Sequence, residues 1–359
     1  MNPADAASAR YLHLVVPGDP STPTGGYVYD RRMAEGLRGL GWRVDVVALD
    51  ARFPEPDAAA LADAAARLGS IPDDALVLID GLALGVMPDI VRAERDRLRL
   101  VGLVHHPLAL ETGLPPARAA ELRRSESAAL AAMQRVIVTS PATARTLAAF
   151  GVPPAAVDVV VPGTDPAPLA DGSGGGPLQL LCVGALTPRK GHALLLDALA
   201  GLTPPDWRLT CIGSLDRDPQ TAETVRRRIA EPGLRGHVRL AGAVDDAALA
   251  AAYAGADLFV LPSLFEGYGM AFAEALAHGL PVLGCRAGAV ADTVPADAGL
   301  LVAPGSVPAL RDALARLLDD NALRERLAAG ARRARPALPD WPASCRRLEG
   351  VLKRVGDDV

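Results

Sequence analysis

A repeated alternation constrains this chain more than any other feature. Short, largely apolar runs at 12–16, 44–49, 76–79, 100–104, 136–138 and 157–161 are separated by stretches of helix-forming residues. The pattern then restarts at 178–183, 209–212, 238–240, 258–261, 281–284 and 300–302. Runs this short and this apolar suit strands buried on both faces, and strands that alternate with helices dictate parallel sheets. At 359 residues the chain is too long for one comfortable core. The two series therefore predict two α/β domains with parallel sheets.

Parallel sheets bind ligands beyond the carboxyl ends of their strands, so the residues that follow each run carry the functional reading. The most informative follow Leu258-Phe259-Val260-Leu261: Glu266-Gly267-Tyr268-Gly269-Met270, then good helix formers through Glu274 to His278, then Gly279 and Pro281 as a stop. On one continuous helix Glu266 and Glu274 would diverge by about 80°. Gly267 and Gly269 permit a loop instead, with Glu266 on it and Glu274 about one turn inside the helix, so that both can approach one ligand. A helix entered this way aims unpaired N–H groups and its positive dipole end at the same crevice. Hydroxyls for the carboxylates and an anion for the amides describe a sugar nucleotide.

Other strand ends offer related chemistry. Arg189-Lys190-Gly191 lies between the run at 178–183 and the helical stretch 192–200, where two cations suit a diphosphate. Gly213-Ser214 and Gly242-Ala243-Val244 are turns behind two further strands, and Asp245-Asp246 reads as a helix N-cap. In the first half, Gly25-Gly26 opens the helix 27–40, either as a plain loop or as a place for close backbone approach. His105-His106 follows the run at 100–104, where imidazole can serve a sugar hydroxyl. One sequence leaves the register open between His105 and His106. Glu111 either faces the same crevice or is solvated.

The formal net charge of -5 argues against an electrostatic grip on nucleic acid along the whole chain. No uncharged apolar run reaches the length of a membrane span, and the first dozen residues lack the pattern of a signal peptide, so the cytoplasm is the expected compartment. Cys182, Cys211, Cys285 and Cys345 form no C-x-x-C pair and read as buried thiols, with no zinc site or disulfide framework indicated.

The Glu266 to Glu274 segment, with its glycine-rich interior, resembles the retaining glycosyltransferases of family four, and the resemblance extends more weakly over most of the chain. It implies a GT-B fold of two facing Rossmann-like domains with a cleft between them. The expected layout is an acceptor-binding domain at 1–165, a glycine-rich linker at 166–177, a domain for the nucleotide sugar at 178–335, and a terminal helix at 336–359 packing back on the first domain. Trp341 would then anchor that return.

The resemblance also implies roles. Glu266 contacts the donor sugar, the amides of Gly267, Tyr268, Gly269 and Met270 touch sugar and phosphate, and Glu274 binds the ribose hydroxyls. Lys190 contacts the diphosphate, with Arg189 compensating for Ala185, which stands where many relatives have Arg. Gly25 and Gly26 lie near donor phosphate or acceptor, Gly213 near the nucleotide, and Val244 against the nucleobase through its backbone. His105, with His106 as substitute, reaches the donor sugar or the acceptor. The implied reaction moves a sugar from a UDP- or GDP-sugar to an acceptor hydroxyl with retention. It uses no cofactor and no metal, and no aspartate pair is expected after a strand to hold a divalent ion. The acceptor is a small molecule, a glycan or a lipid-linked species, the last adding peripheral membrane contact. A sugar-nucleotide sensor that has lost its chemistry, or a GT-B epimerase, is the alternative.

Overall fold

The computed structural model describes residues 10–22, 24–202 and 207–357. The chain divides into two compact units. One runs to Gly163 and resumes at Pro339, and the other spans Thr164–Leu338.

The first unit holds a six-stranded parallel sheet of β1 (Tyr11–Pro17), β2 (Arg43–Leu49), β3 (Leu76–Asp80), β4 (Arg99–Val104), β5 (Arg135–Val138) and β6 (Val157–Val159), in the order β2-β1-β3-β4-β5-β6. The second holds β7 (Leu178–Val183), β8 (Trp207–Ile212), β9 (Val238–Gly242), β10 (Leu258–Leu261), β11 (Val282–Cys285) and β12 (Gly299–Val302), in the order β12-β11-β10-β7-β8-β9. The strands predicted from the apolar runs are all present, and β3, β10 and β11 are buried along their whole length.

Each order reverses once, between β1 and β3 in the first sheet and between β7 and β10 in the second. At such a reversal the connections leave in opposite directions and open a crevice above the carboxyl ends of the two central strands. In the second unit, Leu258 and Phe259 of β10 pair with Leu180 and Leu181 of β7. The loops carrying Lys190 and Glu266 are thereby neighbours, although 76 residues separate them.

Two expectations change. The helix expected at 27–40 spans Gly25–Gly39, so Gly25 and Gly26 are its first residues rather than a preceding loop. The segment expected to be a flexible linker is tied to the second unit instead. The amides of Asp171 and Gly172 donate to Ala254 O, and the Asp257 carboxylate accepts from the Ser173 and Gln179 amides. The glycines there serve turns against Asp257, since a Cβ on Gly172 would fall 2.4 Å from its Oδ1. The terminal helix Trp341–Asp357 belongs to the first unit, where Cys345 fills the space over Gly36 and Trp341 packs edge-on against Tyr29.

Candidate active site

The second unit gathers its charged residues at the crevice between β7 and β10. Behind β7 the chain makes one tight turn, Pro188–Lys190, and Gly191 follows with φ of +71°. A Cβ on Gly191 would stand 2.3 Å from Pro262 O, so only glycine lets this loop lie against the end of β10. The contact is fastened by the Leu264 amide donating to Arg189 O at 2.7 Å and by the Arg189 guanidinium donating to Phe265 O at 2.8 Å.

Glu266 sits where these loops meet, 5% exposed. Its Oε1 accepts from Lys190 Nζ at 2.7 Å and from Ser263 Oγ at 2.5 Å, and its Oε2 lies 3.4 Å from Arg189 Nη1. Burial alone would push this carboxyl up, but Lys190 and then Arg189 outweigh it, and Glu266 lies below the usual carboxylate range. It is an ionised group held by two cations and a hydroxyl.

The chain then turns through Gly269 (φ +90°) into the helix Met270–Ala277, as the glycine spacing predicts. Phe272, fully buried, pins that helix edge-on to Phe259 of β10 at 5.4 Å between ring centroids. Glu274 lies one turn in and accepts from Tyr253 Oη at 2.8 Å. Burial raises its pKa, with the tyrosine bond and the nearby Lys190 opposing. Lys190 thus bears on both carboxylates. Tyr253 is itself stacked on His278, with centroids 4.9 Å apart and planes 7° from parallel, so the hydroxyl that holds Glu274 is rigidly placed.

Three contributors were not visible in the sequence. Tyr253 stands alone in an alanine-rich helix and Ser263 in irregular backbone just behind β10, so neither carries a motif. Gly288, with φ of +58°, passes directly over Glu266, where a Cβ would meet its carbonyl oxygen at 2.2 Å, and the next amide, Ala289, donates to that oxygen at 2.9 Å.

The remaining candidates in this unit sit around the same strand ends. Gly213 closes against Gly184, where a Cβ would come within 2.1 Å of the carbonyl, and its amide donates to Gly242 O at 2.9 Å, linking the turns behind β7, β8 and β9. Val244 is half-buried beyond that turn, and Asp245 caps the next helix through the Ala248 amide at 2.8 Å, as expected. The Tyr268 hydroxyl is pushed up to about 12 by burial, and Tyr268 O accepts from Thr293 Oγ1 at 2.8 Å.

One expectation is corrected outright. The triplet Asp216-Arg217-Asp218 does follow β8. Asp218 is engaged as a helix cap, accepting from the Thr221 amide at 2.8 Å, and Asp216 is exposed.

In the first unit, His105 follows β4 and meets the helix Gly25–Gly39 across the reversal beside β3. Its Nε2 lies 3.1 Å from Asp30 Oδ1 and 3.3 Å from Asp80 Oδ2, and its Cδ2 would lie 3.4 Å from a Cβ on Gly26. The structure therefore brings Gly26 and His105 together. His106 turns to another neighbour, its Nε2 lying 3.8 Å from Glu111 Oε2. The loop after the histidines is held by buried Glu126, whose two oxygens accept from the Leu108 and Ala109 amides at 2.6 and 2.8 Å. The sequence reading overlooked Glu126 and Asp30, because both are single acids within helices. Among the described residues no helix is long and apolar enough to cross a membrane.

Both halves of the chain match known family models. The family model described as Glycosyl transferases group 1 matches residues 170–334, and that described as Glycosyltransferase Family 4 matches residues 24–168. The MMP alpha-(1->4)-mannosyltransferase of Mycolicibacterium hassiacum is 28% identical over 321 residues, covering 85% of this chain and 76% of that protein. The phosphatidyl-myo-inositol mannosyltransferase of Mycobacterium leprae is 36% identical over 173 residues, covering 47% of this chain and 44% of that protein. Among solved structures, sucrose-phosphate synthase from Thermosynechococcus elongatus superposes with a TM-score of 0.82 at 23% identity, covering 98% of this chain and all of that one.

Proposed function

We propose that this chain, which belongs to the GT-B glycosyltransferases described by the group 1 and family 4 models, moves a sugar from a nucleotide-diphosphate sugar to an acceptor hydroxyl with retention of configuration and without a metal ion. The observation that carries the reading is the placement of Lys190. Its ammonium group bears on both Glu266 and Glu274 at the reversal of a parallel sheet, beside the N-terminus of an eight-residue helix.

A nucleotide sugar fits these groups in one direction. Its ribose hydroxyls suit Glu274, which Tyr253 holds as an acceptor. Its diphosphate suits Lys190, Arg189 and the leading end of the helix Met270–Ala277, where the Phe272 and Ala273 amides turn back to Gly269 O and the Met270 and Ala271 amides precede them. Its sugar suits the loop of Glu266. As the glycosidic bond breaks, negative charge grows on the diphosphate, and fixed cations and amide dipoles stabilise that charge more than they stabilise the bound donor. The departing phosphate oxygen then accepts the acceptor's proton on the same face of the sugar, so the protein need not supply a nucleophile. Positioning by Glu266 supplies much of the remaining acceleration.

The names of the relatives direct the choice of sugar. Two of the sequence relatives are mannosyltransferases by name, one of them a phosphatidyl-myo-inositol mannosyltransferase, which makes mannose the first sugar to test and an inositol or sugar hydroxyl the first acceptor. Incubation with GDP-mannose and a panel of UDP-sugars should give a product whose anomeric proton coupling matches that of the donor. Chelator should leave the rate within about twofold. An inverted anomeric centre would contradict retention, and loss of turnover restored by added divalent ion would contradict metal independence.

A further inference from the structure

His105 is held by more than a loop. Asp30 and Gly26 are four residues apart on the helix Gly25–Gly39 and so share one of its faces. Both meet the imidazole, and Asp80 reaches it from the end of β3. The two carboxyl groups are each 2% exposed. Asp80 Oδ1 is engaged by the Leu82 amide at 2.9 Å, leaving Oδ2 for the histidine. Asp30 Oδ2 is buried and has no hydrogen-bond partner among the described residues, so its other oxygen, on the ring, is its main compensation. Tyr29 packs edge-on to the ring at 5.1 Å, and its own hydroxyl donates to Val160 O at 3.0 Å. The His105 carbonyl accepts from Thr139 Oγ1.

This packing fixes which nitrogen faces which way. Nε2 points inward between two acceptors and must carry a proton, because an unprotonated Nε2 would set its lone pair against two carboxylate oxygens. Nδ1 has no hydrogen-bond partner among the described residues and is the nitrogen left for a ligand.

We propose that Asp30 and Asp80 are positioning residues that hold His105 as an imidazolium with Nε2 inward, so that Nδ1–H is a charged donor to an anionic oxygen of the ligand bound by the first unit. His105 is on this account neither a general base nor a neutral partner of a sugar hydroxyl, and the ligand carries a phosphate or carboxylate group within its reach. The inference rests on the transferase reading only for the identity of that ligand. The electrostatics agree in direction. Burial would lower the imidazole, but Asp30 and then Asp80 outweigh it and carry it up to about 10. Arg31 bears on Asp30 from the same helix, and the neighbouring His106 faces Glu111. Because the folded imidazole value is raised, its contribution to stability is lost as pH rises from about 6.5 toward about 10, and because burial carries Asp30 up to about 6, its ion pair with His105 is also lost below that value.

The test is a histidine-labelled NMR titration of the full chain, which has six histidines, with His105 assigned from His105→Gln. His105 should remain imidazolium to pH 8 or above. Its midpoint should fall by at least one unit in Asp30→Asn or Asp80→Asn. A wild-type midpoint near 6.5 would overturn the proposal without any variant having to fold. An unmoved midpoint in both variants would overturn the positioning role. UDP and mannose 1-phosphate are then added separately. A response of the Nδ1 signal to UDP assigns the anion to the donor, and a response to mannose 1-phosphate alone assigns it to a phosphorylated acceptor. No response to either overturns the ligand half of the proposal. Stoichiometric loss of the His105 signal on adding Mn2+ would also overturn it, by placing a metal ion where the proton is proposed. Absence of glycosyl transfer with the NMR result intact would remove the transferase reading and leave the triad standing.

Discussion

Lys190→Ala is expected to lower kcat/KM for glycosyl transfer by about 10²- to 10³-fold, the range seen when one fixed donor to a developing anion is removed. The effect should fall mainly on kcat, because charge on the leaving diphosphate is largest in the transition state. The fold should survive, since Ser263 Oγ and Arg189 still face Glu266 when the lysine is gone. Arg189→Ala should cost less, because that guanidinium also spends a donor on Phe265 O. Steady-state kinetics together with circular dichroism check this. Near-normal turnover of folded Lys190→Ala would remove the lysine from the chemistry.

The second large effect is structural and lies outside every motif. Gly288→Ala is expected to destabilise the protein by about 2–4 kcal/mol, combining overpacking with a side chain forced into the left-handed region. The added Cβ would stand 2.2 Å from Glu266 O and 2.9 Å from Glu266 N, both backbone atoms that cannot swing aside. Relief requires moving the loop that aims Glu266 at Lys190, so donor binding should weaken alongside stability. Urea unfolding measures the first and calorimetric titration the second. A change in stability below about 0.5 kcal/mol would show that the loop yields freely, and the close approach at Gly288 would then have no part in seating the carboxylate.

The legible part of this molecule was its periodicity. Apolar runs a few residues long located the strands of both sheets, and the glycines around Glu266 correctly announced a loop that turns into a helix at Met270. Strand order was not legible, because it is decided by packing among elements distant in sequence. The order brings the Lys190 and Glu266 loops together through Leu180 and Leu258. Residues that act on another side chain were equally hidden. Tyr253 matters only through Glu274, and Asp30 only through His105. The same holds for Cys182 and Cys211. Neither belongs to a C-x-x-C pair, yet they are register partners on β7 and β8, and with His192 their ligand atoms lie within 4.8 Å of one another. The glycine-rich stretch at 171–176 misled because composition reports permissive backbone, whereas the Asp257 carboxylate decides that it is fastened.

The central claim is that the second unit holds a nucleotide sugar between Lys190, Glu266 and Glu274. Calorimetric titration with UDP and GDP, for the wild-type protein and for Glu274→Ala, tests it most directly. The account predicts saturable binding of one nucleotide diphosphate by the wild type and a loss of about tenfold or more in Glu274→Ala, the consequence of removing a charged hydrogen-bond acceptor worth about 1.5–3 kcal/mol. Equal affinity in the two proteins would contradict it, and would place the nucleotide somewhere other than the crevice between β7 and β10.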